Sequence, residues 1–372
     1  MTMDSDRLMN RGLQGIKPYV GGKHKEEAQK KYHVSDPVKL SSNENPLGVS
    51  PRALSRAREI LHGANVYPEG SNRDLRELVA RKYGIGPEAV IFGNGADEII
   101  YYLAMSLIND GDEVIIPRLT FPIYEIACRM MRARIVYSEM DGFSIDLSDM
   151  LRRMTKKTKL IVLCNPNNPT GHALAAEAVY PFLEAVPGEV LVIMDEAYAD
   201  FADPGTFPDS VSRFRQGSDN LVVIKTLSKA YGLAGFRVGY GIGDPGIVEL
   251  MNRIKLPFNV GIVSQYAALG ALDDEKFLGT TIENTRIGRE EIQRAMKGLG
   301  LSPVESSTNF VLIDTGADAD QVTEELMKRG VIVRSAKNYG TPTCIRVTVG
   351  TREQNLRFIE SMKQIFPASP SA

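Results

Sequence analysis

Seven short apolar runs punctuate the middle of the chain, at 90–92, 113–116, 135–137, 160–164, 190–194, 221–224 and 237–242. They are rich in Val and Ile and nearly unbroken, the pattern of strands buried on both faces. Helix-length segments separate them. The expected fold is therefore α/β, with a mostly parallel seven-stranded sheet flanked by helices. Ahead of the runs, Leu75, Leu78, Val79 and Tyr83 recur at helical spacing. Ser71 or Asn72 is placed to cap that helix and Gly84 to end it. Beyond Gly270 the texture changes. A long charged helix is predicted over 282–296, strands at 310–313, 331–333 and 345–349, and helices at 319–328 and 352–365. These make a smaller α+β unit. The first residues are polar and irregular, with Pro18, Gly21, Gly22 and a charged stretch at 23–31. The expected organisation is an arm over 1–45 that joins the small unit, a large unit over 46–270 and the small unit over 271–372. A tail beyond Pro367 is expected to fray.

Composition narrows the function. The 372 residues suit a large unit with a smaller companion, at roughly 100–200 residues per domain. The 44 basic and 46 acidic side chains nearly cancel, which argues against a nucleic-acid partner. No run of about 18 apolar residues is present, so no membrane partner is expected. The polar start, 1–10, lacks the basic and apolar regions of a signal peptide. Cys128, Cys164 and Cys344 are odd in number and far apart, and His24, His33, His62 and His172 are scattered. Buried reduced thiols in a cytoplasmic protein are the expected reading, with no metal site. There is no G-x-S-x-G nucleophile turn. Gly241, Gly243 and Gly246 match G-x-G-x-x-G, but late in the sheet and without an acid about 20 residues on, so they read as a turn.

In open α/β sheets ligands bind beyond the carboxyl ends of the strands, and the residues there are unusual. Asp195 follows five apolar residues. A carboxylate at the end of a buried strand is costly unless it meets a cation or several donors. It reads as a helix cap, a structural ion pair or the partner of a buried ligand cation, with Tyr198 near enough in sequence to serve the same ligand. Lys229 follows the next strand, flanked by Thr226 and Ser228 and followed by Arg237. A lone lysine there is usually on the surface; two hydroxyls and a guanidinium beside it suit a phosphate next to a Schiff base. Gly93, Gly95, Ala96, Asp97 and Glu98 open an apolar helix, either as a glycine turn or as an anion site at a helix N-terminus. Residues 165–171, Asn-Pro-Asn-Asn-Pro-Thr-Gly, read as a turn or as a rigid loop that aims Asn168 at a ligand.

The set 165–171, Asp195-Glu-Ala-Tyr198 and Thr226-Leu-Ser-Lys229 with Arg237 downstream resembles the fold-type I pyridoxal-phosphate aminotransferases. Among them it most resembles the histidinol-phosphate aminotransferases, through residues 42–46, Tyr67-Pro68, Gly95-Ala96-Asp97-Glu98 and 345–350. The resemblance runs from about Leu40 to Phe366. It implies that Lys229 carries pyridoxal 5'-phosphate as a Schiff base and that Asp195 pairs with the ring nitrogen. Asn168 and Tyr198 would bond the ring oxygen, and Phe121 would stack on the ring. Thr226, Ser228, Arg237 and the N–H groups near Ala96 and Asp97 would hold the phosphate, joined by Tyr67 from a neighbouring subunit of a homodimer. Arg346 and Arg334 would grip the anionic end of the substrate, with Tyr19 and Asn309 nearby. The implied reaction exchanges the amino group of histidinol phosphate with 2-oxoglutarate, in histidine biosynthesis. Aromatic amino-acid aminotransferases and threonine-phosphate decarboxylases share the scaffold. A regulator with a vestigial enzyme domain would need an added DNA-binding unit, for which the arm is too short.

Overall fold

A computed structural model describes residues 7–18 and 21–367. The seven predicted runs are its seven-stranded sheet. Across it the strands run Val90–Asn94, Val238–Ile242, Leu221–Thr226, Leu191–Asp195, Thr158–Cys164, Glu113–Pro117 and Arg134–Ser138. All are parallel except Val238–Ile242, which is antiparallel to both neighbours. That reversal matters for the site. Six strands deliver the residues at their carboxyl ends to one edge, while the reversed strand delivers the residue at its start, Arg237. Apolar clusters cover both faces of the sheet, which explains the unbroken runs.

Two glycines let a helix N-terminus approach this edge. Gly95, at φ 79°, precedes the helix Ala96–Leu107, and a Cβ there would meet the Arg237 guanidinium at 2.3 Å. A Cβ on Gly239 would meet the Ala96 nitrogen at 2.4 Å. Gly241 and Gly246 end a strand and open the helix Pro245–Ile254, whose start Asp244 caps, away from this edge.

The second sheet is antiparallel, in the order Ser302–Pro303, Phe310–Asp314, Cys344–Thr348, Arg334–Ser335. The helices Glu275–Gly298, Ala319–Lys328 and Arg352–Ile365 pack around it over their own apolar cluster. The predicted strand 331–333 splits. Val331–Ile332 pairs in parallel with Val38–Lys39, and after Val333 the chain turns to join the second sheet at Arg334.

Two local expectations need correction. The helix Arg73–Tyr83 is capped by neither Ser71 nor Asn72. Asn72 sits at φ 56° and makes no cap bond, while the Glu69 carboxylate accepts from the backbone of Ser71 and Arg73. Gly84 ends the helix at φ 63°, as expected. The arm is not wholly irregular. Lys25–Tyr32 is a helix that lays Ala28 against Met327 and Ile332, and Lys23 and Lys31 both pair with Glu324. No helix among the described residues is long and apolar enough to cross a membrane.

Candidate active site

The carboxyl edge of the large sheet, the second sheet and the arm enclose a cavity of about 240 Å³. Ala96, Asp97, Phe121, Asn168, Asp195, Tyr198, Thr226, Ser228, Lys229, Arg237, Arg334 and Arg346 all line it. Two other described residues singled out in the sequence do not. Tyr67 lies apart on the surface, stacked on Phe258 with ring centroids 4.6 Å apart. Asn309 is buried behind the wall and donates to the Asn43 carbonyl. Tyr19 lies outside the described residues.

Asp195 ends its strand 4% exposed. Tyr124 Oη donates to its Oδ2 at 2.6 Å and Ala197 N to its Oδ1 at 3.0 Å. Among the described residues no cation pairs with it, so burial raises its pKa to about 6 despite the two donors. A buried carboxylate held by donors but lacking a cation is suited to a positive group brought by a ligand.

Lys229 lies in the turn after Leu221–Thr226, its Nζ 5.7 Å from the centre of the Tyr198 ring. Burial first, then the Arg346 and Arg237 guanidiniums, lower its pKa to about 8, with Asp97 opposing. About a tenth of the amine is therefore neutral at pH 7, far more than for an ordinary lysine, which favours a nucleophilic role. Arg237, at φ 57° before its strand, reaches Ser228 Oγ at 3.3 Å and Asp97 Oδ2 at 3.4 Å. The helix start at Ala96 has no side-chain cap, so its N–H groups, Thr226, Ser228 and Arg237 form an anion cradle.

The loop 165–171 divides its asparagines by role. Asn165 exchanges two hydrogen bonds with the backbone of Leu174. Asn167 is fixed by Leu119, Thr120 and Thr170. Asn168 alone lines the cavity, where its Oδ1 accepts from Arg346 at 2.5 Å. Arg346 also donates to the Ser41 carbonyl at 3.2 Å. It is 6% exposed, with its Nε buried and unpartnered, unlike a surface arginine on a strand. Arg334 stands directly opposite Arg346 in the strand register, and both line the cavity.

Several lining residues were not legible in the sequence. Tyr124 reads as an apolar helix residue; only the fold carries it to Asp195. Gly22, Ser41 and Asn43 come from the arm, whose local pattern points nowhere.

The donor set, a buried anion lacking a cation beside a phosphate-type cradle and a depressed lysine, fits pyridoxal phosphate. The family model for aminotransferase class I and II matches residues 35–362. Histidinol-phosphate aminotransferase 2 of Carboxydothermus hydrogenoformans is 42% identical, over 96% of this chain and 99% of its own. Histidinol-phosphate aminotransferase of Moorella thermoacetica is also 42% identical, over 94% and 91%. The crystal structure of histidinol-phosphate aminotransferase from Sinorhizobium meliloti in complex with pyridoxal-5'-phosphate superposes with a TM-score of 0.87, at 26% identity, covering 96% of this chain and 97% of that one. The chain belongs to the aminotransferase class I and II family.

Proposed function

We propose that this chain is a pyridoxal-phosphate aminotransferase that exchanges the amino group of histidinol phosphate with 2-oxoglutarate. The observation that carries the substrate reading is the pair Arg334 and Arg346, facing each other across two strands and both lining the cavity that holds Lys229 and Asp195. Histidinol phosphate has no α-carboxylate, so its phosphate must supply the anion that glutamate supplies with a carboxylate. Guanidinium forks suit both groups.

When bound, pyridoxal phosphate supplies the electron sink that stabilises negative charge at the carbon losing its proton. The chain's own residues do the rest. Asp195 keeps a proton on the ring nitrogen, because a cation beside it relieves its own burial. Thr226, Ser228, Arg237 and the N–H groups at Ala96 and Asp97 hold the phosphate. Phe121 covers a ring face, and Asn168 and Tyr198 bond the ring oxygen. Lys229 would hold the cofactor at rest, and its Nζ, neutral once freed, would take the substrate's α-proton and deliver it to the cofactor carbon that bears the amino nitrogen. Arg346, with Arg334, orients the substrate; Asn309, which the family pattern puts at that end, instead supports Asn43 from behind the cavity wall.

The same reading divides the chain into an arm to residue 45, a large unit to 270 and a small unit from 271. It also makes the protein a cytoplasmic homodimer. Support for the dimer is the exposed group Val66, Tyr67, Leu256 and Phe258, with Tyr67 77% exposed. From there Tyr67 serves the partner's phosphate site. Support for the compartment is that all three thiols are free and buried.

The test is a panel of amino donors on the purified protein: histidinol phosphate, phenylalanine, tyrosine and threonine phosphate, each with 2-oxoglutarate. Histidinol phosphate should give the highest kcat/KM. If phenylalanine leads and histidinol phosphate is ignored, the substrate reading fails while the aminotransferase reading stands.

A further inference from the structure

Asn43 is 1% exposed and sits at φ 55°, in the left-handed region that Asn tolerates better than most side chains. Its own backbone and side-chain polar groups are all committed. Its N–H donates to Thr348 Oγ1 at 2.9 Å, and its carbonyl accepts from Asn309 Nδ2 at 3.0 Å. Thr348 Oγ1 donates in turn to Asn43 Oδ1 at 3.2 Å. With Oδ1 taken, the amide presents Nδ2 to Tyr198 Oη, at 2.9 Å. The phenol oxygen thus receives a donor from behind, and its own proton is free for an acceptor in the cavity.

We propose that Asn43 is a positioning residue that sets the direction of the Tyr198 hydrogen bond, turning the phenol proton into the cavity. The proposal rests on Tyr198 donating to the ring oxygen of the cofactor. It extends that reading to Thr348, at the end of a second-sheet strand, and Asn309, just before another, which fix the orientation of Asn43. The other groups facing Tyr198 are Lys229 from the turn after Leu221–Thr226, Arg346 from Cys344–Thr348, the Cys164 thiol and, more weakly, the Tyr339 phenol. None of them replaces the Asn43 bond.

Asn43→Asp keeps the shape and reverses the bond: a carboxylate accepts the phenol proton and takes it from the cavity. A ring oxygen that loses this donor holds more negative charge, so the imine proton beside it is released at higher pH. The measurement is the pH midpoint of the visible absorption change of the holoenzyme, with circular dichroism as a check on folding. Asn43→Asp should raise the midpoint by about one unit, tenfold in proton affinity. It should match Tyr198→Phe, and the double variant should go no higher. Asn43→Gly, which suits the backbone angle and deletes the amide, should shift it the same way by less. If Tyr198→Phe moves the midpoint while both Asn43 variants stay with the parent, the proposal is overturned. If Tyr198→Phe itself leaves the midpoint unchanged, the placement of Tyr198 on the cofactor fails, and the proposal with it.

Discussion

Two residues of the cavity are poised in opposite senses. Lys229 is held low, near pH 8, by burial and two guanidiniums. Only the neutral amine attacks a carbonyl. The rate at which cofactor-free protein captures pyridoxal phosphate should therefore climb with pH to about 8 and then level. Rapid-mixing absorbance would reveal a climb continuing to the ordinary lysine range if the site does not depress this amine. Asp195 is held high, near pH 6, chiefly by burial. A carboxyl raised in the folded state favours its protonated form, so its contribution to stability is lost as pH rises from the ordinary carboxylate range through about 6. At pH 8 the empty protein thus carries a buried charge that only the ligand relieves. Asp195→Asn should stabilise the cofactor-free protein at that pH by about 1–3 kcal/mol, on thermal melting, while weakening cofactor retention and slowing turnover. An empty Asn variant that melts lower than its parent would mean the carboxylate is already satisfied. At Arg346, lysine would keep the charge and lose the fork. Arg346→Lys should cut kcat/KM for histidinol phosphate and for glutamate together, by roughly 1.5–3 kcal/mol each. A loss confined to one substrate would assign the other to a different anchor.

At the scale of elements, the large sheet was legible because strands buried on both faces leave unbroken apolar runs, and each of seven such runs became a strand. The ends of those strands were legible too, since Asp195, Thr226 and Lys229 are chemically out of place after such runs. What the local pattern could not carry was pairing across the chain. Tyr124 reaches Asp195, and Asn43 reaches Tyr198, over sequence separations no periodicity records. The same holds for the ion pair of Glu196 and Lys225, 2.6 Å apart, which ties the ends of the strands bearing Asp195 and Thr226. Glu196 Oε1 is buried without a partner, and the Lys225 side chain is 17% exposed. Removing the acid alone leaves a desolvated ammonium. Glu196→Gln should cost about 3–5 kcal/mol in denaturant unfolding, and adding Lys225→Met should recover most of it. No recovery in the double variant would mean that packing, not charge, sets the loss.

For the whole molecule, the exposed stack of Tyr67 on Phe258 is the feature a single chain does not explain. If Tyr67 serves a neighbour, two crippled proteins should rescue each other. Lys229→Ala chains mixed with Tyr67→Phe chains give dimers in which one site carries both defects and the other neither. Activity of the re-equilibrated mixture should exceed the average of its parents. A mixture that matches the average, or a fully active monomer in sedimentation, would place Tyr67 outside the reaction.

The parallel pairing of Val38–Lys39 with Val331–Ile332 imposes an order on biosynthesis. Val38–Lys39 is made before the large sheet, and its partner strand only after that sheet is complete. At about 5–20 residues per second, that wait is on the order of tens of seconds. By the later part of it the large sheet, with Asp195 and Lys229, has been made, while Ser41 and Asn43 have no wall to complete and Arg334 and Arg346 do not yet exist. The nascent protein therefore has no arginine pair with which to grip an anionic substrate until residue 346 has been made.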